Sequence, residues 1–241
     1  MSAVLSAALD AIYPPQCVSC AEPVDDAMGL CGPCWRETPF ISGAICDLCG
    51  APLMGGDVTE RATCDDCLAR PRPWSKGRSA LLYQAGARRL VLGLKHGGRE
   101  DVALSAGAWM AHAGREILSS DALLAPIPLH WSRLFRRRYN QAALLARETS
   151  RAFGCDLALS ALKRVRRTRS LDHMSPDARF DALAGSVIAD ESAEVLGGRH
   201  VVLIDDVMTS GATLTAATEA ALQAGAARVD VLTLARAVRG P

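Results

Sequence analysis

The sequence predicts an α/β fold, a parallel sheet with helices on both faces, preceded by a small cysteine-rich module. Three observations predict it. Val201 to Ile204 is an unbroken run of branched apolar residues, the pattern of a strand buried on both faces. Beyond residue 76, strand-like apolar runs alternate with stretches of helical spacing, the βαβ order that builds a parallel sheet. Eight of the nine cysteines lie between positions 17 and 67, arranged as four C-x-x-C pairs.

The 241 residues are 49% apolar and 22% charged, the balance of a soluble globular protein with material for a real core. We expect a module over 1–75 and a larger domain over 76–241. The opening MSAVLSAALDAIYPPQC has no leading Lys or Arg, carries Asp10, and is far too short to span a bilayer. A short helix packed on the body, no membrane span and a cytoplasmic location are therefore expected. Formal net charge is only +1, yet its distribution is uneven. Residues 1–75 hold four basic and ten acidic side chains, and the remainder holds 23 basic and 16 acidic ones, so anion binding is expected in the second half.

Cys17/Cys20, Cys31/Cys34, Cys46/Cys49 and Cys64/Cys67 each direct two thiolates at one point, and two such knuckles complete a tetrahedral sulfur site for Zn²⁺. Spacers of ten and 14 residues within the two quartets are close to those of zinc ribbons. Consecutive quartets are favoured over interleaved ones, giving two structural zinc ions. Disulfides compete poorly in a reducing compartment, and iron–sulfur ligation is the remaining alternative. Four thiolates leave no open position for catalysis, and each Cys₄ site adds negative charge to an already acidic module. Docking, dimerisation or partner recognition suits such a surface better than gripping nucleic acid.

The run PRPWSK from Pro71 to Lys76 reads as a link with Trp74 as an anchor. Then follow a strand over Ser79–Tyr83, a short helix over Arg89–Lys95, a longer helix over Asp101–Leu118 and a strand over Leu123–Ile127. Pro126 and Pro128 predict an extended loop at that strand's end, beside Arg133, Arg136, Arg137 and Arg138. Asn140–Phe153 has helical spacing and Gly154 at its end. Cys155 reads as a small buried hydrophobe. Lys163–Ser186 is long, polar and cationic, with weak periodicity, as in a lid or a disordered segment. Val229–Leu234 gives the last strand.

Asp205 and Asp206 fall at the carboxyl end of the Val201–Ile204 strand, where open α/β sheets bind ligands. Thr209, Ser210, Gly211, Ala212 and Thr213 then lead into the helical pattern LTAATEAALQAG, offering free backbone N–H groups and a helix dipole to an anion. A plain strand–turn–helix with one capping residue is the duller alternative, but it needs one acid and leaves the glycine unexplained. No P-loop pattern occurs.

The segment VVLIDDVMTSGATL resembles the phosphoribosyl-pyrophosphate (PRPP) binding motif of type I phosphoribosyltransferases. That likeness implies that Asp205 and Asp206 are the catalytic pair that accepts the ribose hydroxyls, and that Thr209 to Thr213 hold the 5-phosphate. Together with LVLGLKHGG around Lys95 and His96, PIPLHWSRLFRRRYNQAALLA, and the four knuckles, it resembles the ComF family. The family pairs a double zinc ribbon with a type I phosphoribosyltransferase-like domain and is associated with DNA uptake in natural transformation. The resemblance implies a pyrophosphate loop of Ile127, Pro128, Leu129 and His130, with Arg133, Arg137 and Lys95 as further PRPP-binding residues, and Arg164–Ser186 as the lid. It implies Mg²⁺ bound with PRPP and transfer of phosphoribose to a nitrogen nucleophile. The second reading is a non-catalytic protein that senses PRPP or a nucleotide, or handles single-strand DNA with DNA-uptake proteins. Two departures stand out: Arg138-Tyr139 replaces the family's Gly-Phe before Asn140-Gln141, and Leu171 and Ala182 stand where the family's lid has Gln and Asn.

Overall fold

The structure is a computed structural model describing residues 14–25, 29–55, 62–96, 99–167 and 174–238. The helix expected within the first 13 residues, the side chain of His96, Leu171 and His173 lie outside the described residues. In chain order the strands are β1 (Gly77–Leu82), β2 (Leu123–Pro126), β3 (Asp156–Leu157), β4 (Leu162–Arg164), β5 (Val187–Ala189), β6 (His200–Met208) and β7 (Arg228–Arg236). The helices are α1 (Gly32–Glu37), α2 (Asp65–Ala69), α3 (Ala85–His96), α4 (Asp101–Ala113), α5 (Trp131–Arg137), α6 (Gln141–Phe153), α7 (Pro176–Leu183) and α8 (Ala212–Gln223).

Five strands form one sheet in the order β1-β7-β6-β2-β3, every pair parallel. Alternation along β6 and β7 divides the core. Val201, Leu203, Val229 and Val231 pack with Leu214, Ala217 and Ala221 of α8, while Val202, Ile204, Leu232 and Leu234 pack with Leu94, Met110 and Leu145 of α3, α4 and α6. Both faces are thus covered, which is why the strand could be continuously apolar. On the second face α4 and α6 cross closely at Gly107, where a Cβ would sit 2.5 Å from the Glu148 Cβ. Asp230, fully buried, accepts from the Lys76 N–H at 2.8 Å and from Arg228 Nη2 at 2.7 Å, with His200 Nε2 at 2.9 Å, tying the link to the starts of β6 and β7.

Several elements depart from the sequence expectation. The first helix begins at Ala85 rather than Arg89, and α4 stops at Ala113, where the Gly114 N–H returns to the Met110 carbonyl. The prolines hold only the residues before His130 extended. His130 then caps α5, its Nδ1 accepting from the Ser132 N–H at 3.3 Å, so the arginine-rich segment is a short helix. Described parts of the expected loop over 163–186 fold as an antiparallel β4–β5 hairpin carrying α7, whose Ser175 cap accepts from the Ala178 N–H. The Ser-Pro-Asp start of α7 was a helix signal in plain sight.

The cysteine-rich module straddles the β1 edge. The Ile41 N–H donates to the Ala80 carbonyl and the Leu82 N–H to the Pro39 carbonyl, each at 2.9 Å, so residues 39–41 cover that edge. Val18 joins the core on one face of the sheet, whereas Cys46, Cys49, Ala51, Cys67 and Trp74 join the other. Buried Arg78 bonds Asp47 at 3.0 Å and Glu116 at 2.6 Å, fastening the module to β1 and to the turn after α4. Among the described residues no helix is long and apolar enough to cross a membrane.

Candidate functional site

From β2 the chain runs outward to β3, and from β6 it runs the opposite way to β7, so the connections part at the carboxyl ends of two neighbouring strands. Such a switch point leaves a crevice. Here it is a cleft of about 1030 Å³. One wall carries Asp205, Asp206, Thr209, Ser210 and Gly211, then Ala212, Thr213 and Leu214 in the first turn of α8; the other carries Ile127, Leu129, Arg133 and Arg137, with Lys95 reaching in from α3. Pro128 and His130 do not line it. Pro128 lies in the connection to α5, and His130 is 8% exposed with its Nδ1 committed to the helix cap.

The two aspartates differ in environment although they are adjacent. Burial, followed by the charge of Asp206, pushes the Asp205 carboxyl up to about 7, although the Asp206 N–H donates to its Oδ1 at 2.8 Å. Asp206 instead holds the Lys95 ammonium at 3.1 Å from its Oδ2. The pair therefore already accommodates a cation. Gly211 caps α8 with φ +84°, a left-handed conformation that glycine adopts without strain.

The cationic lining includes residues of the expected lid and of the arginine-rich segment after the prolines. Arg164, Arg167 and Arg179 come from the hairpin and α7, and Arg136 from α5, to join Lys95, Arg133 and Arg137 around the same space. Burial, followed by the charge of Arg133, lowers the Arg164 pKa. Gln141, 1% exposed, accepts from Arg137 Nη1 at 3.1 Å and has an Nε2 with no partner among the described residues. Asn140 caps α6 while its Nδ2 donates to the Ile127 carbonyl at 3.0 Å, which fixes the wall carrying these arginines.

The cysteines gather as the consecutive quartets 17/20/31/34 and 46/49/64/67, with the four Sγ atoms of each within 4.8 Å of one another. Cys20–Cys31 and Cys49–Cys64 Sγ separations are both 3.6 Å, close to the tetrahedron edge of about 3.8 Å that Zn–S bonds of about 2.3 Å require. Backbone N–H groups of Cys31 and Cys64 point at the Cys17 and Cys46 sulfurs, at 3.3 and 3.4 Å. The donor set fits zinc.

Residues 8–68 match the family model of a double zinc ribbon domain, and residues 140–240 that of a phosphoribosyl transferase domain. The chain is 29% identical over 213 residues to the DNA utilization protein YhgH of Escherichia coli, covering 86% of this chain and 90% of the relative. It is 27% identical over 228 residues to competence protein F of Haemophilus influenzae (92% and 97% covered) and 28% identical over 215 residues to competence protein ComFC of Bacillus subtilis (86% and 84% covered). The pair of matched domains and these relatives are consistent with the ComF family that the sequence resembles.

The Arg138-Tyr139 departure has a physical account. Arg138 is the left-handed C-cap of α5, at φ +69°, a conformation that glycine adopts more cheaply by roughly 1 kcal/mol. Tyr139 uses the hydroxyl that phenylalanine lacks: it donates to the Leu94 carbonyl at 2.6 Å, holding α3, and with it Lys95, against the arginine-bearing wall.

Proposed function

We propose that the cleft of this protein binds PRPP with Mg²⁺ and serves phosphoribosyl transfer or PRPP recognition in DNA uptake or utilisation. The observation that carries this reading is the pairing of opposite chemistries across one cleft. Two carboxylates and the turn before α8 share one cleft with several arginines at the switch point. In that reading Asp205 and Asp206 accept the ribose hydroxyls, the first turn of α8 binds the 5-phosphate, and Arg133, Arg137 and Lys95 neutralise pyrophosphate. Oxygen donors from the two carboxylates suit a hard cation, and Mg²⁺ bound with PRPP would supply neutralisation of leaving-group charge. Arginines from α5, the β4–β5 hairpin and α7 add electrostatic stabilisation where water is excluded.

Calorimetric titration of PRPP with MgCl₂ into the zinc-loaded protein tests this. Saturable one-site binding is expected, with ribose 5-phosphate and pyrophosphate each binding more weakly because each fills half of the cleft. No heat from PRPP at any concentration up to millimolar overturns the assignment. Pyrophosphate release with candidate amines then separates transfer from recognition.

A second reading, single-strand DNA handling, is favoured by one observation. Trp131 and Phe135 on α5 are 73% and 87% exposed beside Arg136 and Arg138, a surface on which bases can stack next to cations. Affinity for an oligonucleotide should then fall linearly on a log–log salt plot, with a shallower slope in Arg136→Ala/Arg138→Ala. A salt-independent affinity counts against it.

A further inference from the structure

Two arginines reach from the second cysteine quartet to the loop that follows β6. Arg72 donates from Nε to the Cys67 sulfur at 3.4 Å and from Nη1 to the Ser210 carbonyl at 2.6 Å. Arg236, 2% exposed, donates from Nη1 to the Met208 carbonyl at 3.2 Å and the Thr209 carbonyl at 2.8 Å, and its Nη2 lies 3.9 Å from Oδ2 of Asp66, which stands in α2 between the last two cysteines of the quartet. A guanidinium is a rigid planar fork, so fixing one edge on sulfur fixes where the other edge holds a carbonyl.

Those carbonyls set the orientation of the loop. In a trans peptide unit the C=O and the following N–H point in opposite directions across one plane. Holding the Thr209 and Ser210 carbonyls toward the cysteine side turns the N–H groups of Ser210 and Gly211 the other way, into the cleft that these residues line. Gly211 leaves the space that Arg72 needs: a Cβ there would lie 2.9 Å from Arg72 Nη1 and 3.2 Å from the Trp74 ring. The same link grips the opposite lip, where Arg70 pairs with Asp177 and lies over the Phe180 ring of α7 at 4.9 Å. Residues around the first quartet make no hydrogen bond to the loop among the described residues. They pack instead on α3 and α4, through Thr38, Phe40 and Trp109.

We propose that the second quartet, loaded with zinc, is the positioning element of the 208–211 loop, with Arg72 and Arg236 as positioning residues that convey the metal's presence to the anion-binding amides. Zinc keeps the four sulfurs as anchored thiolates, with Cys67 a strong acceptor for the Arg72 guanidinium, and holds in place α2, whose Asp66 carboxylate faces Arg236. Without it the forks lose their fixed edge and the loop its orientation. Linkage makes the effect reciprocal: a ligand held by the ordered loop must tighten the second metal site and leave the first unaffected. The proposal rests on the PRPP reading only for the identity of that ligand.

The test follows zinc transfer from the full-length two-zinc protein to a chromogenic chelator, with and without PRPP and Mg²⁺, alongside amide hydrogen exchange over 208–214. PRPP should slow release of one zinc about tenfold and leave the other unchanged. Arg72→Ala should start with both zinc ions, lose the protection, bind PRPP about tenfold more weakly and exchange the loop amides faster even without ligand. Arg72→Lys, which can reach only one partner at a time, should fall between. Cys31→Ser, which removes the first zinc, should leave loop exchange as in the wild type. If Arg72→Ala leaves loop exchange and PRPP affinity unchanged, the coupling is wrong. If loop exchange rises in that variant while the wild type binds no PRPP, the coupling stands and the ligand assignment falls.

Discussion

Replacing Asp205 and Asp206 together by asparagine is expected to weaken PRPP binding by at least a hundredfold while raising the protein's own stability at neutral pH. Two charge-assisted acceptors for the ribose hydroxyls are lost, each worth about 1.5–3 kcal/mol, and with them the oxygen donors for Mg²⁺. The gain in stability comes from the same pair. Asp205 is pushed from its ordinary 3.8 up to about 7, by burial first and by the charge of Asp206 second, so the folded protein must hold a charge it disfavours. The sign is fixed by linkage. Below about pH 4 the carboxyl is protonated in both states and costs nothing; between pH 4 and 7 only the unfolded chain ionises it, so its contribution to stability falls as pH rises and is lowest above 7. Asp205→Asn should therefore match the wild type at pH 4 and exceed it by about 1–3 kcal/mol at pH 8. PRPP affinity of the wild type should rise over the same interval, as the second carboxylate becomes available to metal and hydroxyls. Calorimetry across that range measures both, and a variant that binds PRPP like the wild type sinks the site.

The second large effect concerns metal. Cys49→Ala is expected to yield a protein with one zinc instead of two and a melting temperature lower by roughly 10 °C or more. Cys46, Cys49 and Cys67 are fully or almost fully buried in the same apolar cluster as Leu203, Leu214 and Val231, so opening that quartet opens one face of the sheet. Cys20 is exposed, and among the described residues its half of the module gives the apolar clusters on the sheet only Val18, with Leu30 and Phe40 packed against it. Cys20→Ala should also cost one zinc, yet lower the transition by much less. Metal analysis with scanning calorimetry compares the two directly; equal losses would mean that the quartets bear equally on the sheet.

Much of this was legible in the sequence because the chemistry is local there. The Asp205–Thr213 stretch holds strand end, acids, turn and helix start within a few residues, and each C-x-x-C pair declares its own knuckle. Helix α6 was readable at both ends from Asn140 and Gly154. The cationic 163–186 segment was legible as a lid but not in its folded form, and two further features depend on reach across the fold. Arg164, Arg167 and Arg179 enter the cleft only because β4 and β5 pair and carry α7 over it. His130 looked like a ligand until the chain behind it turned helical and claimed its ring as a cap. The Arg72 contact to Ser210 spans 138 residues and exists because β1 lies beside β7 in the sheet. No window of sequence contains that geometry.

The covering of β1 by residues 39–41 bears on how the chain is made. Residues 39–41 are made before any strand of the sheet, so the segment that covers the outermost strand is already present when that strand appears. A polypeptide shorn of that segment would present a bare ladder of amides and carbonyls flanked by greasy surface, an open invitation to stack with its neighbours. Removing residues 1–75 is therefore expected to promote self-association through β1, read by light scattering.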